Sequence, residues 1–417
     1  MRAFRAIYDE HTPETTFIGL TPNKKKIYLP NSLKHVFVCG TTGSGKTVAL
    51  QNFILSMIKN NYSGVIVDGK GDLGDGSILD TVKRLGKSRK IYVINLNSPK
   101  NSDKYNPFKN ASFTMVKDML INMTEWSEEH YKLNTERYLQ RLAELLEKPG
   151  AELCFSNIVQ NIPTYNFINL SAELLKNDII SRHEHSLNVD IADNSGQIAQ
   201  GAVARFSTII ESSLGTIFDK SGVDISQAIE ENAIIVFILN PLIYPEISPA
   251  IGRLMLIDAK KAVSLSFGSD KRKFFIFDEI SSYASPALID LVNKSRSAKI
   301  TCILSTQSLS DLDYSGGEFF KEQVIENCNN YIILRQNSAT NAEKWANILG
   351  TRQTMDMTFQ VGQNKHGHME DTGLGSGRLV REYLYHPDEI KSLDTGKGIF
   401  ATKDDNMHTK ISVNKLF

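Results

Sequence analysis

The sequence lacks an apolar run long enough to cross a bilayer. Its longest, Ala233 to Leu239, falls far short of the roughly 18 residues a spanning helix needs. Met1 to Glu10 also lacks an apolar stretch, so no secretory signal is expected. Cysteine is scarce: the four residues Cys39, Cys154, Cys302 and Cys328 show no CxxC spacing. Cys39 and Cys302 lie inside apolar runs, as buried free thiols do, and the pattern fits a reducing cytosol. The expected location is therefore the cytoplasm, either free or held at the inner face of a membrane by a partner or an anchor outside this sequence. An excess of one charge is missing too, because 47 basic residues balance 47 acidic ones. Proteins that coat nucleic acid usually carry a basic excess, so any such contact must be local. No internal period in the range of about 20–50 residues is present, which argues against solenoids and propellers. No nucleophile–base arrangement points to another kind of hydrolase.

What is present describes a globular α/β chain. Apolar residues make up 41% and charged residues 23% of 417 positions, enough for one large nucleotide-binding domain with a smaller one inserted. Short β-branched and aromatic runs recur at His35–Cys39, Val65–Asp68, Ile91–Asn95, Ala233–Leu239, Phe274–Phe277, Ile300–Leu304 and Tyr331–Leu334. Most are continuously apolar, as strands covered on both faces by helices are, so a mostly parallel sheet is expected. Between them, Leu50, Phe53, Ile54, Met57 and Ile58 fall at helical spacing, and Ser248 to Val263 and Pro286 to Asn293 read similarly. From about Ala111 to Gln200 there is no convincing strand and many helix formers. The expected organisation is a hairpin region over 1–32, with Thr16–Leu20 and Lys26–Leu29 joined at Pro22-Asn23. A RecA-like α/β domain follows over 33–110 and 201–417, with a helical insertion over 111–200. Gly362 to Gly377, rich in glycine, histidine and asparagine, reads as a loop.

One segment carries recognisable chemistry. Gly40-Thr41-Thr42-Gly43-Ser44-Gly45-Lys46-Thr47 matches GxxxxGK[ST], preceded by the strand His35–Cys39 and followed by an amphipathic helix from Val48. Glycines let backbone N–H groups converge on a polyanion, and the helix start adds partial positive charge. Lys46 is expected on the β- and γ-phosphates of ATP and Thr47 on Mg²⁺. A metal-holding carboxylate is then needed, and the strand Lys273–Phe277 runs into Asp278 and Glu279. Asp278 is the expected metal ligand and Glu279 the group that activates water. After Ile300–Leu304 comes Ser305-Thr306-Gln307-Ser308, where Gln307 is either a γ-phosphate sensor or a cap of the next helix. Arg296 and Arg335 are each either an arginine finger reaching a neighbouring subunit or a surface ion-pair partner.

These motifs, in order, resemble the FtsK/HerA superfamily and within it the TraG/TraD-type conjugative coupling proteins. The likeness extends over roughly Leu33 to Phe400. It rests on His35–Thr47, on Val65–Asp72 (VIVDGKGD), on Tyr105-Asn106-Pro107-Phe108, on Gly222-Val223-Asp224-Ile225 and on Phe275–Gln307. It implies a RecA-like motor with a helical insertion, hexameric rings, DNA in a central channel, and a trans-acting role for Arg296. Relaxase, secretion-channel or membrane-anchor partners would follow. Gly69 stands where the family favours proline and Asp72 where glutamate is usual. Basic clusters at Lys24–Lys26, Lys83–Lys90 and Lys271–Lys273 are candidates for the channel lining. Two alternatives remain open: a soluble HerA-like helicase or defence ATPase, and an ATP-gated platform that binds relaxase or effector proteins without threading DNA. His183/His185 and His366/His368 are HxH pairs without further ligands at metal spacing and are read as loop-borne surface residues.

Overall fold

The computed structural model describes residues 14–31, 34–124, 126, 128–150, 152–363, 369–404 and 406–417. In chain order the strands are β1 (Thr15–Leu20), β2 (Lys26–Pro30), β3 (His35–Cys39), β4 (Ser63–Asp68), β5 (Ile91–Asn95), β6 (Ile234–Ile238) and β7 (Lys273–Phe277). They continue with β8 (Ile300–Thr306), β9 (Cys328–Leu334), β10 (Thr351–Gln363), β11 (Met369–Tyr383), β12 (Lys397–Thr402) and β13 (Met407–Val413). All but β10 and β11 form one 11-stranded sheet ordered β2-β1-β13-β12-β9-β3-β8-β7-β4-β6-β5. From β9 to β5 the pairs are parallel, and these are the seven apolar runs of the sequence. From β12 outward to β2 the pairing is antiparallel.

The apolar runs are continuous because both faces of the parallel part are covered. Val36 and Val38 of β3 pack into one core, and Phe37 and Cys39 into the other. The helix Lys46–Lys59 covers the first face with Ala49, Leu50, Phe53, Ile54 and Met57. The helices Ile247–Leu265 and Pro286–Ser295 cover the second. Each fully buried apolar side chain contributes about 1.5–3 kcal/mol relative to exposure. Between Phe113 and Ile210 the described residues hold helices and no strand; the last helix, Arg182–Ile210, runs on past Gln200.

The chain departs from the sheet after β5 and returns before β6 through a buried clasp. Two of the sequence motifs, Tyr105–Phe108 and Gly222–Ile225, make it by pairing with each other. The Asn106 N–H donates to the Val223 carbonyl at 3.0 Å, and the Val223 N–H to that of Lys104 at 2.9 Å. Gly222 is required there, since a Cβ would lie 2.4 Å from the Tyr105 carbonyl carbon. Inside the clasp Lys261 ties the two segments together. Its Nζ lies 2.7 Å from Asp224 Oδ2 and 3.1 Å from Asp258 Oδ1, and donates to the carbonyls of Pro107 and Lys109. Asp258 Oδ2 accepts from the Tyr105 hydroxyl at 2.9 Å and the Ile225 N–H at 3.0 Å.

Two expectations are corrected. Met369–Gly377 is not loop but part of β11, which pairs with β10 in a long antiparallel ribbon, Met357 opposite Gly377. A ribbon paired only with itself needs no buried face, so its glycines and polar residues hide the strand signal. His183 and His185 lie on the helix Arg182–Ile210 rather than in a loop, because Ser181 and Glu184 form a capping box that starts the helix there. His185 Nδ1 lies 2.9 Å from Ser171 Oγ. His366 and His368 lie outside the described residues.

Burial pushes the Asp258 carboxyl from 3.8 up to about 6 even beside Lys261. A carboxyl that binds its proton more tightly when folded makes the fold lose stability as pH rises through that interval, and removing Lys261 widens the interval. Lys261→Met should therefore cost about 3–5 kcal/mol at neutral pH, because two buried carboxylates lose their partner. Urea unfolding should show that deficit shrinking at about pH 5. A deficit independent of pH would mean that lost packing, not uncompensated charge, is responsible.

Candidate functional site

The C-terminal ends of β3, β8, β7 and β4 stand side by side, and ligands of open α/β sheets bind at that edge. β3 delivers the glycine loop. The Gly40 N–H donates to the Thr306 carbonyl at 3.3 Å and the Thr41 N–H to that of Arg335 at 2.9 Å, so the loop is fastened to the strands on both sides. The chain then turns tightly: the Ser44 N–H and Oγ both donate to the Thr41 carbonyl, at 3.1 and 2.6 Å. Gly45 takes a positive φ of 108° immediately before the helix Lys46–Lys59 begins. Lys46 is buried and its Nζ donates to the Gly40 carbonyl at 2.7 Å. Burial and then the neighbouring Lys70 lower its pKa, while Glu279 and Asp278 act in the opposite direction. A second loop closes over the first: the Gly396 N–H donates to the Ser44 carbonyl at 2.9 Å, and Thr395 Oγ1 to that of Gly43 at 3.2 Å.

β7 delivers the acids. Asp278 is buried, and its Oδ1 accepts from Ser305 Oγ at 2.5 Å. Glu279 follows in the left-handed region, φ 48° and ψ 55°, a conformation that costs a non-glycine residue of order 1 kcal/mol or more. That turn keeps its side chain against β8. Its Oε1 accepts from Ser281 Oγ at 3.1 Å, from the Gln307 N–H at 3.3 Å and from Thr306 Oγ1 at 3.4 Å. Its Oε2 has no hydrogen bond. Gln307 also reaches the glycine loop, its Oε1 accepting from Thr42 Oγ1 at 2.9 Å. It therefore stands between the loop and the acids, while the cap of the next helix comes from Ser308, whose side chain accepts from the Asp311 N–H.

Two further groups of this edge carried no assigned role in the sequence. Asp68 ends β4, and burial, then Asp278, push its carboxyl up to about 7. Its Oδ1 accepts from the N–H groups of Lys70 at 2.9 Å and Gly71 at 3.1 Å. Lys70 Nζ lies 3.5 Å from Glu279 Oε2 and 3.9 Å from Asp278 Oδ2. The signal was a charged pair just past an apolar strand, but its meaning depends on β4 pairing with β7.

The two arginines part company. Arg335 follows β9 on the same edge as the glycine loop, and its Nε is buried without a hydrogen bond. Arg296 is exposed before β8 begins, at the opposite edge of the sheet from Asp278 and Glu279. Part of each of two basic clusters is engaged within the fold. Arg89 donates to the carbonyls of Tyr62 and Asn232, and Lys90 pairs with Glu231 at 2.6 Å. Arg84 pairs with Asp80 and Asp75, Arg272 with Glu14, and Lys273 is buried. Lys24, Lys25 and Lys87 are exposed. No described helix is long and apolar enough to cross a membrane, and no cluster of three or more His, Cys, Asp or Glu among the described residues is arranged to hold a metal by itself.

Residues 272–395 match the family described as the TraM recognition site of TraD and TraG, and residues 14–64 match the FtsK/SpoIIIE family. An uncharacterized protein of Mycoplasma pneumoniae (strain ATCC 29342 / M129 / Subtype 1) is 35% identical over 117 residues, covering 27% of this chain and 78% of that protein. Among solved structures, the bacterial conjugative coupling protein TrwBdeltaN70 in its unbound monoclinic form gives a TM-score of 0.70 at 16% identity, over 100% of this chain and 92% of that one. The plasmid coupling protein TrwB in complex with the ATP analogue ADPNP gives 0.70 at 17%, over 100% and 93%. VirB4 of Thermoanaerobacter pseudethanolicus gives 0.59 at 11%, over 97% and 98%. At these identities the structures speak for the RecA-like fold alone, and the family matches for lineage. With the ordered motifs, the two family matches, over residues 272–395 and 14–64, make the chain similar to TraG/TraD-type P-loop ATPases of the FtsK/HerA superfamily.

Proposed function

We propose that the chain hydrolyses ATP to drive DNA through a ring of its own copies, a homo-hexamer of the conjugative coupling kind. What supports this is the meeting of the glycine loop with Asp278 and Glu279 across β8, through Gln307. TrwB has been solved with ADP and Mg²⁺ and with ADPNP. The donors at the present edge fit the same ligands: clustered backbone N–H groups, a helix start and an ammonium for phosphates, and a hydroxyl with a carboxylate for a hard cation. Residues Gly40 to Val48 would cradle the phosphates, with Lys46 on the β- and γ-oxygens. Thr47 and Asp278 would hold Mg²⁺, whose chemistry is to neutralise charge developing on the transferred phosphoryl group. Glu279 Oε2, buried and without a hydrogen bond, is the oxygen free to orient a water and take its proton. Gln307 would sense the γ-phosphate and relay its presence along β8. Arg296, at the far edge, serves no nucleotide of its own subunit and is our candidate for the finger that reaches a neighbour.

The acids and the loop can be tested separately. Glu279→Gln should bind a fluorescent ATP analogue as the native chain does yet turn over ATP roughly a hundredfold more slowly, whereas Lys46→Ala should lose binding. Undiminished turnover in Glu279→Gln would remove that residue from its role.

A trans-acting arginine makes a distinct prediction. Arg296→Ala and Glu279→Gln chains should each be inactive alone, but an equimolar mixture should regain ATPase activity, because some sites combine an intact acid with a neighbour's intact arginine. A mixture no more active than its components would place Arg296 outside the reaction. DNA should stimulate turnover, and that stimulation should fall steeply between about 50 and about 200 mM salt, as phosphate contacts require. Turnover indifferent to DNA would favour the protein-binding platform.

A further inference from the structure

Each acid of the site is held by β8 through one oxygen and faces Lys70 with the other. Ser305 Oγ takes Asp278 Oδ1, and Ser281, Thr306 and the Gln307 N–H take Glu279 Oε1. The remaining oxygens, Asp278 Oδ2 and Glu279 Oε2, have Lys70 Nζ at 3.9 and 3.5 Å. No other described cation is ion-paired with either of them. The backbone is shaped for this approach. β4 pairs in parallel with β7, Val67 opposite Phe277, so the two strand ends deliver Lys70 and the acids to one spot. At the intervening Gly69, a Cβ would stand 2.7 Å from the Asp278 carbonyl oxygen and 2.9 Å from that of Glu279. Asp68 then folds the turn that aims Lys70 by accepting its N–H.

The surroundings decide whether such a pair matters. Exposed ion pairs contribute little. Here the Asp278 and Glu279 side chains are 3% and 9% exposed, and a third carboxylate, Asp68, stands beside them, so screening is weak. Lys70 itself is one-third exposed, on the solvent side of the acids, and can move without unfolding its turn. Burial works against its ammonium, but Asp278, Glu279 and Asp68 outweigh that and hold it charged.

We infer that Lys70 is a positioning residue of the hydrolytic site: it aims the free oxygens of Asp278 and Glu279 into the cleft and serves as their counter-charge until a divalent cation takes that place. The inference rests on the ATPase reading and adds to it a residue outside both the glycine loop and the acid strand.

Three measurements on the native chain, its Lys70→Met variant and its Lys70→Arg variant test it. In the absence of nucleotide, Mn²⁺ binding followed by electron paramagnetic resonance should tighten in Lys70→Met by about threefold or more, since a competing cation is gone. With excess EDTA, a fluorescent ATP analogue should bind about tenfold more weakly, since Asp278 and Glu279 then face the triphosphate with one cation fewer. In steady state kcat should fall about tenfold while KM for Mg·ATP changes less than threefold, as for a group acting on the reacting arrangement rather than on binding. Lys70→Arg should restore all three toward the native values. Metal and nucleotide affinities that stay put, or weaken together with a lowered melting temperature, would reduce Lys70 to a structural residue and overturn the inference. So would an undiminished kcat. If the native chain neither binds nor hydrolyses ATP, the ATPase reading falls first and takes this role with it; a native chain that hydrolyses ATP beside an unaffected Lys70→Met overturns the role alone.

Discussion

Three carboxylates and two ammonium groups share one dry edge of a sheet, and much of the local architecture serves to keep them there. Burying an ion costs several kcal/mol unless partners replace its water. Asp68, Asp278 and Glu279 meet that demand in different ways. Asp68 accepts two backbone N–H groups and still has its carboxyl pushed up to about 7. Asp278 is anchored by a serine hydroxyl from the neighbouring strand. Glu279 takes a left-handed backbone conformation so that one oxygen finds three donors while the other stays open. A group kept partly unsatisfied at such expense is set up to bind something else.

The order of the strands explains why this edge can both hold and sense a nucleotide. β8 lies between the strand that leads into the glycine loop and the strand that ends in the acids. Its C-terminal residues touch both: Thr306 and Gln307 reach Glu279, and Gln307 also meets Thr42. A rearrangement at the phosphates therefore meets a strand whose other end runs back to Arg296 on the opposite edge. If the copies are arranged in a ring, that strand is a short mechanical path from one subunit's nucleotide to its neighbour's.

The parallel half of the sheet was legible because its strands are buried on both faces, which leaves an uninterrupted apolar run in the sequence. His35–Cys39 and Phe274–Phe277 are plain examples. The antiparallel strands β12 and β13 and the ribbon β10–β11 carry mixed polar and glycine-rich sequence, and their pairing rather than an apolar run defines them. The same asymmetry holds at the site. The glycine loop and the acid pair announce themselves through local sequence. Lys70 and Ser305 acquire meaning only when β4 and β8 are laid beside β7. Arg296 and Arg335 looked equivalent as single basic residues near strand ends, and the sheet sends them to opposite edges. Within the basic clusters, Arg89, Lys90 and Lys273 satisfy carbonyls and carboxylates of the fold, which the sequence alone did not reveal.

The clasp between Tyr105–Phe108 and Gly222–Ile225 bears on how the molecule assembles. β5 and β6 are neighbours in the sheet, Ile91 opposite Ile234, yet the whole helical excursion lies between them. Closing so long a loop in one step would carry its full entropic cost. With Asn106 held to Val223, the strands need to find each other only across the short stretches flanking that junction. The excursion is thereby tied off at its root, and that junction carries what happens among its helices to the sheet edge.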